Sequence, residues 1–244
     1  RSGVLDDAVL RVLAQKERLG LLDADFAEPP ASVDLDGPRH RELARRLAAE
    51  SAVLLSNDGT LPAAAPGRIA VLGPNADSSE ALMGCYSFVN HVLAHHPGTP
   101  AGIEIPTVLD ALRAEYPAAR IESVRGCDVE GDDAAGIADA VAAASRSDLA
   151  IVVVGDRAGL FGRGTVGEGN DADSLELPGV QRQLVEAIVA TGTPVVLVLL
   201  TGRPYALGWA LDGADAPAAV LQAFFPGEEG GPALASLLAG DATP

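Results

Sequence analysis

Residues 69–72 (Ile-Ala-Val-Leu), 149–154 (Leu-Ala-Ile-Val-Val-Val) and 195–200 (Val-Val-Leu-Val-Leu-Leu) are apolar at every position. A strand with one face in water alternates apolar with polar side chains, so a strand lacking that alternation has to be covered on both faces. Helical spacing of apolar residues at 107–116, 132–144 and 180–190 supplies the covering elements. Strands are expected at 68–72, 120–124, 149–154, 195–200 and 218–224. Alternation of such strands with helices predicts an α/β fold: a doubly wound, mostly parallel sheet with helices on both faces. With 48% hydrophobic residues among 244, the chain has material for a core of that size.

Ahead of this pattern, Val4, Leu5, Ala8, Val9, Val12 and Leu13 recur at helical spacing until Gly20. Residues 23–38 are polar and contain Pro, and read as a linker. A second helix is expected over 40–55, built on Leu43, Leu47, Ala48 and Val53, with Asn57, Asp58 and Gly59 turning the chain. The sequence opens without Met and directly into a helical pattern, so a longer parent protein is expected.

A formal net charge of −17, from 34 acidic and 17 basic residues, argues against nucleic acid as a partner, because association would add repulsion instead of releasing counterions. No apolar run approaches the roughly 18–20 residues that span a bilayer, and no membrane partner is expected. Residues 1–7 lack the charged and apolar regions of a secretory signal. The cysteines, Cys85 and Cys127, are too few for a disulfide framework and are expected as buried thiols, which leans towards a cytoplasmic setting.

Ligands of open α/β sheets meet the loops beyond the carboxyl ends of the strands. Here those are 73–77, 126–133, 155–178, 201–205 and 225–231. The third is the longest and carries Gly155, Gly159, Gly162, Gly164, Gly167 and Gly169. Gly162, Gly164 and Gly167 form a literal G-x-G-x-x-G, but no strand runs straight into it and no helix starts within it, so a dinucleotide site is not supported. Glu168, between two glycines, is free to project a carboxylate that transfers protons; on spacing alone it reads first as a solvated loop acid, the usual fate of a lone Glu. Asp171 and Asp173 either crowd it with like charge or cap the following turn. His91, His95 and His96 are followed by Pro97 and lack a carboxylate at a metal-binding spacing, so no metal is expected. Neither Ser87 nor Ser174 sits in a nucleophile elbow. Glu228 and Glu229 either line the site or begin the last helix.

Several separated motifs occur in one order: residues 49–62 (Ala-Glu-Ser-Ala-Val-Leu-Leu-Ser-Asn-Asp-Gly-Thr-Leu-Pro), 69–76 (Ile-Ala-Val-Leu-Gly-Pro-Asn-Ala), 167–171 (Gly-Glu-Gly-Asn-Asp) and 175–181 (Leu-Glu-Leu-Pro-Gly-Val-Gln). Residues 192–200 and 222–231 continue the match. Together they resemble the second, α/β domain of glycoside hydrolase family 3, which includes β-glucosidases and β-xylosidases. On that resemblance, residues 1–38 are the last helix of a preceding (β/α)8 barrel plus its linker, and 39–244 are the α/β domain. The family's Asp nucleophile lies in the barrel in a Ser-Asp-Trp-like motif, which this chain lacks; its only Trp, Trp209, follows Gly208.

The resemblance further implies that Glu168 is the general acid/base of a retaining exo-acting β-glycosidase, with Gly167, Gly169, Asp171 and Arg157 contacting substrate and no cofactor. The partners implied are a β-linked glucoside, xyloside or oligosaccharide and the barrel domain. Ala172 follows Asp171 where family members often carry Arg. The isolated chain is expected to be inactive, with a glycine-rich loop that depends on the barrel for its order. The rival expectation is a non-catalytic carbohydrate-binding or scaffolding module.

Overall fold

The apolar segments assemble into one six-stranded sheet whose side chains alternate between two separate cores. The structure, a computed structural model, describes residues 2–23, 30–213 and 215–244. Residues 24–29, part of the stretch read as a linker, lie outside the described residues. The strands are β1 (Val53–Asn57), β2 (Arg68–Leu72), β3 (Arg120–Val124), β4 (Leu149–Gly155), β5 (Val195–Leu200) and β6 (Ala219–Gln222). Their order across the sheet is β1-β6-β5-β4-β2-β3, with β1 antiparallel to β6 and the other pairs parallel. The fold is thus the doubly wound α/β sandwich anticipated from the sequence.

On one face Ile69, Val71, Ile151, Val153, Val196 and Val198 pack under α2 (Pro38–Ser51), α3 (Val108–Glu115) and α7 (Gly230–Ala239). On the other, Leu72, Val152, Val154, Leu197 and Leu199 meet α4 (Ile137–Ala144), α5 (Gln181–Val189) and the short α6 (Gly208–Leu211). Successive residues of each central strand go to opposite cores, and β4 and β5 are buried at every position. That two-sided burial is why these strands show no polar alternation.

The chain divides into two compact units, residues 1–35 and 36–244. The first contains α1 (Ser2–Arg18), whose Val4, Leu5, Val9 and Leu10 are exposed; Val4 is 75% accessible. In the second, α2 is bound to α7 through Glu229, the residue preceding α7. Its buried carboxylate receives Arg41 at 2.7 Å and Arg45 at 2.7 Å. Of the two roles open to this acid in the sequence, Glu229 takes the second: it stands at the start of the last helix, and from there it also anchors α2.

Three element limits differ from expectation. The helix expected over 40–55 ends at Ser51, and residues 53–57 form β1 instead. Ala52 is extended, and Val53 and Leu54 pair with Gln222 and Leu221. Val53 prolongs the helical spacing of α2, whereas the pairing that decides its conformation comes from a strand far along the chain. The helix expected from residue 132 starts at Ile137, because the Asp133 side chain binds the Ala135 amide (2.9 Å) and holds a turn there. The last strand stops at Gln222, and Phe224 follows with φ 55°, a left-handed conformation incompatible with a strand.

Candidate functional site

β2 lies between β3 and β4, so the connections leaving β2 and β3 run in opposite directions and open a crevice at their carboxyl ends. A cleft of about 650 Å³ occupies it, lined among others by Gly73, Asn75, Arg125, Asp128, Asp156 and Arg157. A second cleft of about 600 Å³ lies beside the long loop, with Gly169, Asp171, Asp173 and Tyr205 in its wall. Glu130 lines both clefts and forms an ion pair with Arg157.

The long loop is internally bonded. Thr165 N donates to Arg157 O (2.9 Å), Gly159 N to Val166 O (3.0 Å) and Phe161 N to Glu168 O (2.8 Å), a short ladder outside the sheet. Its two runs are so close that side chains are excluded. A Cβ at Gly167 would sit 1.9 Å from Gly159 O, and one at Gly164 would sit 2.4 Å from Arg157 O. These glycines of the G-x-G-x-x-G run therefore serve backbone-to-backbone packing. Buried Asn170 completes the loop: its side chain accepts from Gly162 N (2.8 Å) and donates to Gly159 O (3.0 Å), while its carbonyl accepts from Arg203 (2.7 Å).

Two buried polar residues tie the loop to the sheet. Asp156, immediately after β4, is fully buried and accepts from Thr165 Oγ1 (2.7 Å), Tyr205 OH (2.5 Å) and Gly202 N (2.9 Å). Burial, and secondly the bond to Asp156, push the Tyr205 phenol well above its ordinary value, so it stays a donor. Gln181, first residue of α5, is also fully buried; its Oε1 accepts from Gly155 N (2.7 Å) and its Nε2 donates to Gly155 O (2.8 Å) and Val129 O (3.0 Å). Sequence reasoning gave neither residue a role. An acid directly behind a wholly apolar strand was the available signal for Asp156, since a carboxylate there must find donors.

Glu168 is exposed on the rim of this loop, and its Oε2 accepts a hydrogen bond from Tyr86. Gly167 and Gly169 hold φ values of 124° and 73° beside it, the left-handed region that favours glycine. Asp171 is exposed in the wall of the second cleft. Arg157 is exposed too, but opens on the first cleft. The predicted set thus falls into a contiguous group, Gly167 to Asp171, and Arg157 across the Glu130 wall.

Cys127 is buried as expected, whereas Cys85 is only half-buried, its Cβ lying 2.9 Å from where a Gly167 Cβ would stand. Burial, the main cause, and the Asp128 charge raise the Cys127 thiol to about 11. His95 approaches Arg163 (3.3 Å) and His91 meets the Tyr86 ring edge-on. Among the described residues no group of three or more His, Cys, Asp or Glu side chains is placed to hold a metal ion. Nor is any helix among them long and apolar enough to cross a membrane.

A sequence profile of the glycosyl hydrolase family 3 C-terminal domain matches residues 52–244. The chain belongs to glycosyl hydrolase family 3. A β-xylosidase of Formosa agariphila is 34% identical over 245 residues, covering 98% of this chain and 32% of the relative. A periplasmic β-glucosidase of Salmonella typhimurium is 34% identical over 270 residues, covering 98% of this chain and 33% of the relative. This family 3 chain therefore spans about a third of the length of the curated relatives it matches. Among solved structures, a β-glucosidase involved in saponin metabolism from intestinal bacteria superposes with a TM-score of 0.82 at 30% identity, over 99% of this chain and 37% of that one. The Listeria innocua β-glucosidase in complex with isofagomine gives 0.81 at 28% identity, over 99% and 31%.

Proposed function

We propose that the protein containing this chain hydrolyses terminal β-linked glucose or xylose with retention of anomeric configuration, and that Glu168 is its general acid/base. The observation that carries this reading is the Gly167-Glu168-Gly169 turn. It presents a carboxylate at the rim of a bonded loop, on the strand-end side of a family 3 domain, with one oxygen held by Tyr86. Relatives named β-xylosidase and β-glucosidase support the substrate class.

In a retaining glycosidase two carboxyl groups face each other about 5–5.5 Å apart across the scissile bond. The partner here is an Asp of a (β/α)8 barrel, for which α1 and the residues up to 38 supply the last helix and linker, ahead of the α/β domain at 39–244. That Asp attacks the anomeric carbon while Glu168 gives its proton to the departing glycosidic oxygen. Glu168 then takes a proton from the water that displaces the Asp. Asp171, Gly167 and Gly169 border the sugar beside the acid, and Arg157 borders it from the first cleft. The chain alone is inactive in this scheme, because it holds half of a two-carboxylate mechanism.

The test is hydrolysis of p-nitrophenyl β-glucoside and β-xyloside by this chain and by the protein with its barrel, each with and without Glu168→Ala. Activity confined to the barrel-bearing protein, lost with Glu168→Ala and partly restored by azide, is expected. A barrel-bearing protein that binds these sugars without cleaving them would replace this reading with a carbohydrate-binding or scaffolding role.

A further inference from the structure

Among the described residues the Glu168 side chain makes one hydrogen bond: the hydroxyl of Tyr86, 82 residues earlier, donates to its Oε2, and Oε1 accepts none. Tyr86 is 63% exposed, so packing of its ring in a core does not account for its place. The segment carrying it is nonetheless firmly built. The Asn90 side chain donates to the carbonyls of Met83 (2.6 Å) and Glu80 (3.2 Å), and Ser87 Oγ accepts from the Asn90 amide (3.1 Å). The His91 ring meets Tyr86 edge-on, with centroids 5.9 Å apart and planes at 85°.

That segment is also seated on the glycine-rich loop independently of the hydroxyl. Cys85 lies against Gly167, the residues immediately before Tyr86 and Glu168 respectively, and a Cβ at 167 would come within 2.9 Å of the Cys85 Cβ. His95 and Arg163 add a contact further along (3.3 Å). The hydroxyl therefore reaches the carboxylate because two bonded backbones are packed together.

We propose that Tyr86 is the positioning residue for Glu168, holding Oε2 so that Oε1 carries the transferable proton; this rests on the reading of Glu168 as acid/base. In the first step the proton leaves Oε1 for the glycosidic oxygen as the C–O bond breaks, the bonding pair stays with the leaving group, and Glu168 becomes a carboxylate. In the second, Oε1 takes a proton from water as the water oxygen bonds to the anomeric carbon and the bond to the nucleophile breaks. Tyr86 keeps its own proton throughout. A neutral donor suits both states, because Oε2 is an acceptor in the acid and in the carboxylate alike. A Lys or Arg in its place would favour the charged form and oppose the acid step.

The experiment uses the barrel-bearing protein and compares kcat/KM, which reports the first step, on two substrates. A β-linked disaccharide needs a proton on its leaving sugar; a 2,4-dinitrophenyl β-glycoside does not. Tyr86→Phe keeps the ring and removes the donor. It is expected to lower kcat/KM on the disaccharide about tenfold and on the dinitrophenyl glycoside less than about twofold, as one lost hydrogen bond in the transition state predicts. Tyr86→Trp, which relocates the donor, is expected to show the same split, and thermal melts of both variants establish that they are folded. Equal losses on the two substrates, or none, overturn the proposal while leaving Glu168 in its role. If Glu168→Ala itself shows no larger loss on the disaccharide, the acid/base reading falls, and the role of Tyr86 with it.

Discussion

Gln181 and Gly155 hydrogen-bond each other twice, the glutamine side chain accepting from the glycine amide at 2.7 Å and donating to its carbonyl at 2.8 Å. The pair lies where β4 gives way to the long loop, and Gly155 has no room for a side chain: a Cβ would stand 2.0 Å from Leu200 O. Replacing Gln181 with Leu keeps the volume and strands the backbone groups of Gly155 and the Val129 carbonyl. Stability is expected to fall by about 2–3 kcal/mol, the cost of buried unsatisfied groups. Urea denaturation checks it, and an unchanged midpoint would show that water replaces the side chain.

Asp156→Ala leaves Thr165, Tyr205 and the Gly202 amide without their common acceptor. The expected result is a loss of about 2–4 kcal/mol, with the loop affected first. Hydrogen exchange at the amides of Thr165 and Gly159 should accelerate more than exchange in β5. Uniform acceleration across the sheet would mean that Asp156 supports the whole domain and has no particular hold on the loop.

Gly167→Ala is expected to break the loop ladder, because the added Cβ meets Gly159 O at 1.9 Å and φ is 124°. The amides of Gly159 and Phe161 should lose their protection against exchange, while the two cores under the sheet keep theirs. Retained protection at Phe161 would contradict the crowding described.

Alkaline pH should destabilise the fold through three groups held neutral, Cys127, Tyr116 and the Tyr205 described above. Burial first, then the charges of Glu115 and Asp241, raise Tyr116 from 10.0 to about 12, and Cys127 is raised from 9.0 to about 11. All three are acids whose folded values exceed their unfolded ones, so the unfolded chain releases protons first and stability falls as pH rises. The decline should begin near pH 9 with Cys127 and steepen above pH 10 with Tyr116 and Tyr205; the part due to Tyr116 ends as pH passes about 12. Urea midpoints from pH 8 upward should fall less steeply above pH 10 in Tyr116→Phe; parallel curves would exclude Tyr116 as a source.

The limits of β2 and β5 were readable from composition, since segments buried on both faces cannot hide their apolar runs, whereas β3 is an edge strand without a buried residue and owes its legibility to its place between two helical patterns. β1 was not. Residues 53–57 follow a helix without any break residue, and their conformation is dictated by β6, more than 160 residues away in the register Val53 with Gln222. For the site, the turn around Glu168 stood out by its flanking glycines and by resemblance. What fastens it did not: Asn170, Asp156 and Gln181 are ordinary polar residues in sequence, and their hydrogen-bond partners lie between 2 and 81 positions away. Tyr86 was invisible for the same reason, being brought to Glu168 only when the turn after β2 folds over the loop after β4.

The crowding of backbone at residues 159, 164 and 167 also bears on how this domain can be varied. Three positions of the rim accept nothing larger than glycine without displacing a carbonyl, so libraries that randomise the loop uniformly will consist mostly of misfolded members. Productive diversity is confined to side chains that point away from the ladder, such as Asp171, Asp173 and Leu175, all exposed. Under the proposed function, a change in substrate preference engineered through this domain is therefore best sought there, downstream of Glu168, with the glycines left as a fixed frame.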